Sequence, residues 1–246
     1  MLNIDSILSF GVFGFFIATT GSFLILYFLF TVPAYYIFTK NGYFPLYQKK
    51  AFKNNQISVE IKRSMVSILM FGLLSIPLFQ GLKSGFLIIK FDFSWFSFIV
   101  ESVVLFFWNE IYFYIIHRTF HLKIFYKYHF DHHYSNIPSP FSAYSFHWSE
   151  GLLLGAVMPL IMCFYDFQLY SLMTLPLMSI LMNVLGHSNV DFYPDKPMKS
   201  LLSFSKRHSL HHKVPHTNYG FFLPYFDIIF RTIDADESDK KSGSLA

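Results

Sequence analysis

The sequence predicts an all-α integral membrane protein, and three observations carry that expectation. Charged residues make up only 14% of the 246 residues, against 53% hydrophobic ones, where a soluble domain carries roughly 25% charged residues. The apolar residues gather in long uncharged runs that a soluble chain of this size could not bury. All 11 histidines lie at or beyond the ends of those runs, on one side of the inferred topology.

The elements follow in order. Residues 8–30 form an uncharged run long enough to cross a bilayer at about 1.5 Å per residue, with Pro33 expected to end or kink the helix. No Lys or Arg precedes residue 40, and the run is too long for the apolar part of a signal peptide, so it reads as a retained first span. Residues 64–82 are a second, shorter span interrupted by Pro77, and residues 94–116 a third that carries Glu101 and Glu110. Residues 151–186 contain one acid, Asp166, and no base, which suits two short passes or a re-entrant hairpin turning near Tyr165-Asp166-Phe167. Nothing after residue 187 is long enough to span, and the tail from Asp234 reads as solvated and poorly ordered. In sum, about four membrane-spanning or re-entrant helices are expected.

Charge supplies the orientation. If the second and third spans form a hairpin and 151–186 goes in and returns, residues 39–63 share a side with everything after 117. Of the 19 Lys and Arg residues, all but Lys83 and Lys90 then fall on that side, which the positive-inside rule makes cytoplasmic. The same distribution accounts for the net charge of +4 without a basic stripe interleaved with exposed aromatics, so nucleic acid is not an expected partner. The single cysteine, Cys163, sits in an apolar run and can form neither a disulfide framework nor a thiolate metal site within the chain.

The histidines fall into groups. His117 and His121 in HRTFH share a helix face at i and i+4. His129, His132 and His133 in HFDHH are followed much later by the same spacing, His208, His211 and His212 in HSLHH. Within each triplet one histidine lies three or four residues from the other two, so a single turn offers two or three imidazoles in one direction. Taken alone, an i, i+4 pair is more often surface than site. Two identical triplets plus the pair on one side of a membrane are a ligand set, and eight imidazoles exceed what one tetrahedral site uses, so two metals are expected. Imidazole suits iron, zinc, copper or nickel alike, and spacing does not choose among them.

These three groups resemble the three histidine boxes of the membrane-bound fatty acid hydroxylase/sterol desaturase superfamily. The similarity covers roughly residues 95–233 and includes NIPSPFSAYSFHWSEG (136–151), HSLHHKVPHTNYG (208–220) and FDIIFRT (226–232). Trp148 stands where the family commonly has Pro, Phe226 where it has Trp and Arg231 where it has Gly; these departures touch packing more than ligands. The PSPFSA and NYG segments lean toward the sterol C5-desaturase-like branch. The resemblance implies a membrane base of helices with a cytosolic helical cap, and a dinuclear centre between them. It divides the chain into N-terminal membrane helices with a basic loop (1–93), a catalytic domain (94–233) and a flexible tail (234–246). It also implies two iron ions, with zinc as a possible occupant on isolation, and O2-dependent hydroxylation or desaturation of a sterol-like or fatty-acyl lipid. His187 in LGHSNVD matches an additional ligand of the family. Asp191, four residues on, stands where some hydroxylases place a further histidine.

Other residues are candidates for ligation or for orienting ligands. His147 belongs to the PSPFSAYSFHWSEG segment, and His216 lies four residues after His212. Glu110, Asp131, Glu150, Asp191 and Asp227 are candidate acceptors for imidazole N–H groups. Glu110 precedes His117 by two turns, and an ionisable group inside a span is costly enough to be a functional candidate. Asn218 and Tyr219 follow the third box closely enough to position a ligand or close the cavity. No separate acid or base is assigned, because the chemistry is expected to reside in the metals. The aromatic density of 95–116 and 141–186 suits either ordinary packing or a lipid-accessible channel. The sequence contains no nicotinamide or flavin fingerprint and no iron–sulfur cysteine set, so electrons are expected from an external NAD(P)H-dependent chain through a cytochrome b5- or ferredoxin-type carrier and its reductase. A bacterial inner membrane and an endoplasmic reticulum both fit. Two readings of another class compete. A metal transporter would hold its ligands at mid-membrane on broken helices, which these positions do not suit. The other is a catalytically silent, zinc-loaded lipid-binding protein.

Overall fold

A computed structural model describes residues 3–234, and among them there are helices and isolated bridges but no strand. A short helix α1 (Ile4–Leu8) turns at Gly11, whose φ of +63° only glycine adopts without strain, into α2 (Gly11–Ala34). The helix does not end at Pro33. It runs on to Ala34 and widens into a π-helical turn over Tyr35–Lys40. Proline removes one backbone donor, but an apolar setting offers no water to the freed carbonyls, so the chain continues to bond within itself. The second long helix, α3 (Gln56–Lys83), likewise runs through Pro77 and starts well before the apolar run does. Next come α4 (Trp95–Phe120), α5 (Tyr126–His133), α6 (Trp148–Gly155), α7 (Val157–Met162), α8 (Leu169–Gly186), α9 (Phe204–Lys213) and α10 (Tyr225–Ile229).

Among the described residues four segments are long and apolar enough to cross a membrane: Gly11–Lys40, Gln56–Lys83, Trp95–Phe120 and Leu169–Gly186. Along α2 and α4 large apolar side chains such as Phe13, Ile25, Phe96 and Ile99 lie exposed, as helices facing lipid require. The shorter α6–α7 pair and α8 make up the segment expected as two short passes or a re-entrant hairpin, and residues 163–168 join them. Its turn meets the loop between α3 and α4, where Lys90 N donates to Phe167 O at 3.0 Å and Leu169 N to Lys90 O at 2.8 Å. Glu101 pins that turn by accepting from Gln168 N at 2.9 Å and from Tyr165 Oη at 3.3 Å. Its cost inside α4 is therefore offset by fastening a loop, far from the histidines in sequence.

Close crossing of α6 on α3 depends on two glycines one turn apart. A Cβ at Gly151 would lie 3.3 Å from Ser67 Cα, and one at Gly155 would lie 2.6 Å from the Phe71 ring, so only small residues let the backbones approach. Between α5 and α6 the segment Pro140–Tyr144 is buried as a plug. Phe141 O accepts from Tyr27 Oη at 2.8 Å and Ser64 Oγ at 3.1 Å. The buried Glu60 of α3 accepts from Ser139 Oγ, from Ser135 Oγ at 2.7 Å and from Gln56 Nε2 at 2.7 Å. A carboxylate with three donors is a tolerable buried group. It fixes the strap that leads from one histidine helix to the next span. Apart from Asp234, the expected flexible tail lies outside the described residues.

Candidate metal centre

Nine histidines converge in two adjoining nests. His117, His121, His129, His133 and His211 form one; His132, His187, His208 and His212 form the other, and within each nest one ring nitrogen per residue lies within 4.8 Å of all the others. Four elements supply them: the end of α4, all of α5, the residue capping α8 and most of α9. The two triplets are used in a crossed manner. On α5 the i and i+4 residues, His129 and His133, face the first nest while His132 faces the second. On α9 His208 and His212 face the second nest while His211 faces the first. A 3.6-residue period separates i+3 from i+4 by about 100° of helix rotation, so one turn can serve two adjoining ions. The nests touch, with His133 and His212 ring centroids 4.9 Å apart and His117 and His208 6.5 Å apart.

Whether these nests fit metal ions is decided by their protons. His117 Nδ1 donates to Tyr219 O at 2.7 Å, His187 Nδ1 to Asn183 O at 2.7 Å, His211 Nδ1 to Thr217 O at 2.6 Å and His132 Nδ1 to Ser145 O at 3.3 Å. A carbonyl only accepts, so each Nδ1 carries the hydrogen and each Nε2 of a neutral ring is a lone pair. Yet His132 and His187 bring their Nε2 atoms to 3.3 Å, and His211 Nε2 is buried without a partner. Two lone pairs at that distance repel, and an orphaned buried acceptor costs about 1–3 kcal/mol. Burial and mutual repulsion between imidazoles keep the rings neutral: His187 is pushed down to about 4 and His133 to about 3, with desolvation the first cause in each. Neutral, tautomer-locked imidazoles aimed at a common point are what divalent metal ions take, and the donor set fits two of them.

The remaining candidates separate clearly. Glu150 Oε1 lies 2.8 Å from His129 Nδ1, both groups buried, and so orients a nest residue directly. Tyr219 contributes its carbonyl to His117 and lays its ring 4.9 Å from that of His121. Asp227 acts one step back: it accepts from Tyr219 N at 2.8 Å, Gly220 N at 2.7 Å and Thr232 Oγ1 at 2.6 Å, and so fixes the loop that carries the Tyr219 carbonyl. Asn218, at φ +56°, ties the same loop to Asp234 N at 3.0 Å. Glu110 accepts from Leu223 N at 2.8 Å and holds the following loop. Asp131 instead pairs with Arg63 at 2.6 Å, joining α5 to α3. Asp191 lies 3.7 Å from Lys206 Nζ and is not in either nest. His147 caps α6 and contacts Ser149 Oγ at 2.8 Å, and His216 is exposed; neither belongs to a nest.

Several residues that matter carried no signal in the sequence. Arg207, fully buried beside His208, donates to Met198 O at 2.8 Å, Ser200 O at 2.9 Å and Phe222 O at 2.6 Å, and thereby fastens α9 to the loop beneath the nests. A cavity of about 640 Å³ runs between α2, α3, α4 and α6–α8. Its histidine end is formed by Phe113, Phe146 and Phe221, with ring centroids 5.0 Å from His117, 5.0 Å from His132 and 5.0 Å from His208 respectively. Aromatic density in the sequence pointed to the region, while the contact between these three rings and the imidazoles comes only from long-range packing.

Comparison with known proteins gives a consistent result. Residues 102–232 match the fatty acid hydroxylase family. The chain is 25% identical to lathosterol oxidase of Homo sapiens over 94% of its own length and 77% of the relative's. It is 26% identical to lathosterol oxidase of Rattus norvegicus over 87% and 72%. A very-long-chain aldehyde decarbonylase of Oryza sativa subsp. indica is 31% identical over 55% of the chain but only 24% of that protein. No solved structure matches.

Proposed function

Because the chain belongs to the fatty acid hydroxylase family, a family of lipid-modifying oxidoreductases, we propose that it is a membrane-bound di-iron, O2-dependent enzyme that hydroxylates or desaturates a lipid. The observation that carries this reading is the junction of two neutral imidazole nests with one end of an apolar cavity. One iron is assigned to His117, His121, His129, His133 and His211, the other to His132, His187, His208 and His212. Bound there, iron would supply the O2 chemistry needed to attack an unactivated C–H bond.

The chain's own residues do the rest. Carbonyls of Tyr219, Asn183, Thr217 and Ser145 and the carboxyl of Glu150 hold Nδ1 protons, leaving Nε2 atoms as ligands. Phe113, Phe146 and Phe221 exclude water where the cavity meets the nests. Similarity to lathosterol oxidase over most of both chains favours a sterol-like substrate over a fatty-acyl one. Electrons come from an NAD(P)H-dependent chain through a cytochrome b5- or ferredoxin-type carrier. The excess of Lys and Arg on the histidine side supports a site on the cytoplasmic face of an inner membrane or endoplasmic reticulum and suits an acidic carrier.

The test combines metal analysis with lipid mass spectrometry of cells expressing the wild type or a His132→Ala/His133→Ala variant. Two irons per chain and a lipid gaining one oxygen or losing two hydrogens only with the wild type are expected. A folded, zinc-loaded preparation with no iron requirement, or identical lipids in both strains, would overturn the reading.

A further inference from the structure

The cavity wall is apolar apart from a few groups, and two of these are asparagines on facing helices. Asn109 of α4 lies eight residues before His117, and Asn183 of α8 lies four residues before His187. At about 1.5 Å per residue these offsets place them roughly 12 Å and 6 Å along their helices from the respective nests. Asn183 is 7% exposed, and its Nδ2 donates to Ser179 O at 2.8 Å. That bond fixes the amide orientation, because a carbonyl oxygen could not face another carbonyl. Asn183 Oδ1 is then a buried acceptor without a partner. Asn109 is 8% exposed and lines the same cavity. A polar side chain inside a span is expensive, and an unpaired buried acceptor adds to the cost. Nothing in the fold uses Asn183 Oδ1: the contribution of Asn183 to His187 comes from its backbone carbonyl, which any residue would provide.

We infer that Asn183, with Asn109, forms a polar rung that selects a lipid bearing a hydroxyl group and sets how far that lipid enters toward the metals. The unpaired Asn183 Oδ1 calls for a donor, so an alcohol fits and an ester or ketone does not; the Asn109 amide can in turn donate to the hydroxyl oxygen. This inference rests on the oxygenase reading only in taking the cavity as the substrate site. The asparagines are positioning residues, not catalytic ones.

Equilibrium binding to the detergent-solubilised, metal-loaded protein tests it with two pairs of probes: cholesterol against cholest-5-ene, and hexadecanol against hexadecane. The wild type should bind the alcohol of at least one pair about fivefold or more tightly than its hydroxyl-free counterpart, and the pair that responds identifies sterol or chain alcohol. Asn183→Leu should abolish that ratio, and Asn183→Ser should recover part of it. A merely structural role would weaken both members of a pair alike. If Asn183→Leu loses its metals through misfolding, Asn109→Leu is read in the same way. No preference in either pair, or a preference that survives both leucine variants, would overturn the inference. Failure of the oxygenase reading is separate, since it would appear as absent oxidised product with the binding ratio unchanged.

Discussion

His132 Nε2 and His187 Nε2 lie 3.3 Å apart while the Nδ1 hydrogens of both rings are committed to backbone carbonyls. The contact joins α5 to the end of α8 across 55 residues of sequence, and as neutral rings the two atoms face one another as lone pairs. An ion between them turns that repulsion into coordination. Metal-free protein should therefore be markedly less stable. A metal at a hundredfold excess over its dissociation constant stabilises by about 2.7 kcal/mol, so thermal unfolding in detergent should shift upward by several degrees on adding Fe(II). An unchanged melting temperature would count against metal nests.

The crossed use of the two triplets makes a stoichiometric prediction. His117→Ala and His211→Ala should each empty the first nest, and His187→Ala and His212→Ala the second. Elemental analysis of each purified variant should find close to one metal per chain, with turnover lost in all four. Equal loss from both nests in every variant would refute the division.

Glu150 reaches His129 Nδ1 at 2.8 Å inside the protein. Removing an outer acceptor of this kind costs about 10- to 100-fold in metal affinity. Chelator competition should find such a loss for Glu150→Ala, and a smaller one for Glu150→Gln, whose amide oxygen still accepts. Asp131→Asn, which disturbs only the half-exposed pair with Arg63, should leave affinity unchanged because exposed ion pairs contribute little.

Acid should release the metals and destabilise the metal-free chain. His187 and His133 are held at about 4 and about 3, against 6.5 for a free imidazole. The unfolded chain therefore takes up protons first, and the stability that is complete above pH 6.5 falls progressively toward those values. Metal affinity moves in the same direction, since protons compete for the ligand atoms. The buried Glu150, whose carboxyl is raised by burial, acts in the opposite sense, so the histidine share is read by comparison. From pH 7 to pH 5 without metal the melting temperature of the wild type should fall more steeply, or rise less, than that of His187→Gln, and identical slopes would contradict the burial of neutral rings.

Gly186 sits against Phe221, and an added Cβ would come within 2.9 Å of that ring. Phe221 in turn packs 4.9 Å from Phe113 and 5.0 Å from His208. Gly186→Ala should push the ring into the end of the cavity, lowering turnover several-fold while metal content stays at the wild-type level. Gly186→Ala/Phe221→Leu should restore activity, and failure of this pair to compensate would place the defect elsewhere.

Much of this protein can be read from its sequence because the bilayer and the helix impose short-range rules. Apolar length marked the spans, the i, i+3, i+4 spacing marked His117, His121 and both triplets, and sidedness placed them together. Similarity to a known family added His187. Composition could not reveal that Pro33 and Pro77 would be carried inside continuous helices, since that follows from the lack of competing water. Nor could spacing tell which imidazole of a triplet serves which nest, because that depends on how α5 and α9 are rotated against one another. The same holds for Glu60, Arg207, Phe221 and Asn183, isolated letters whose roles arise from partners between 4 and 108 residues away. Local pattern determined the elements and the kind of ligand; tertiary packing alone decided the division into two nests, the tautomers and the cavity that meets them, because each depends on contacts between segments far apart in the chain.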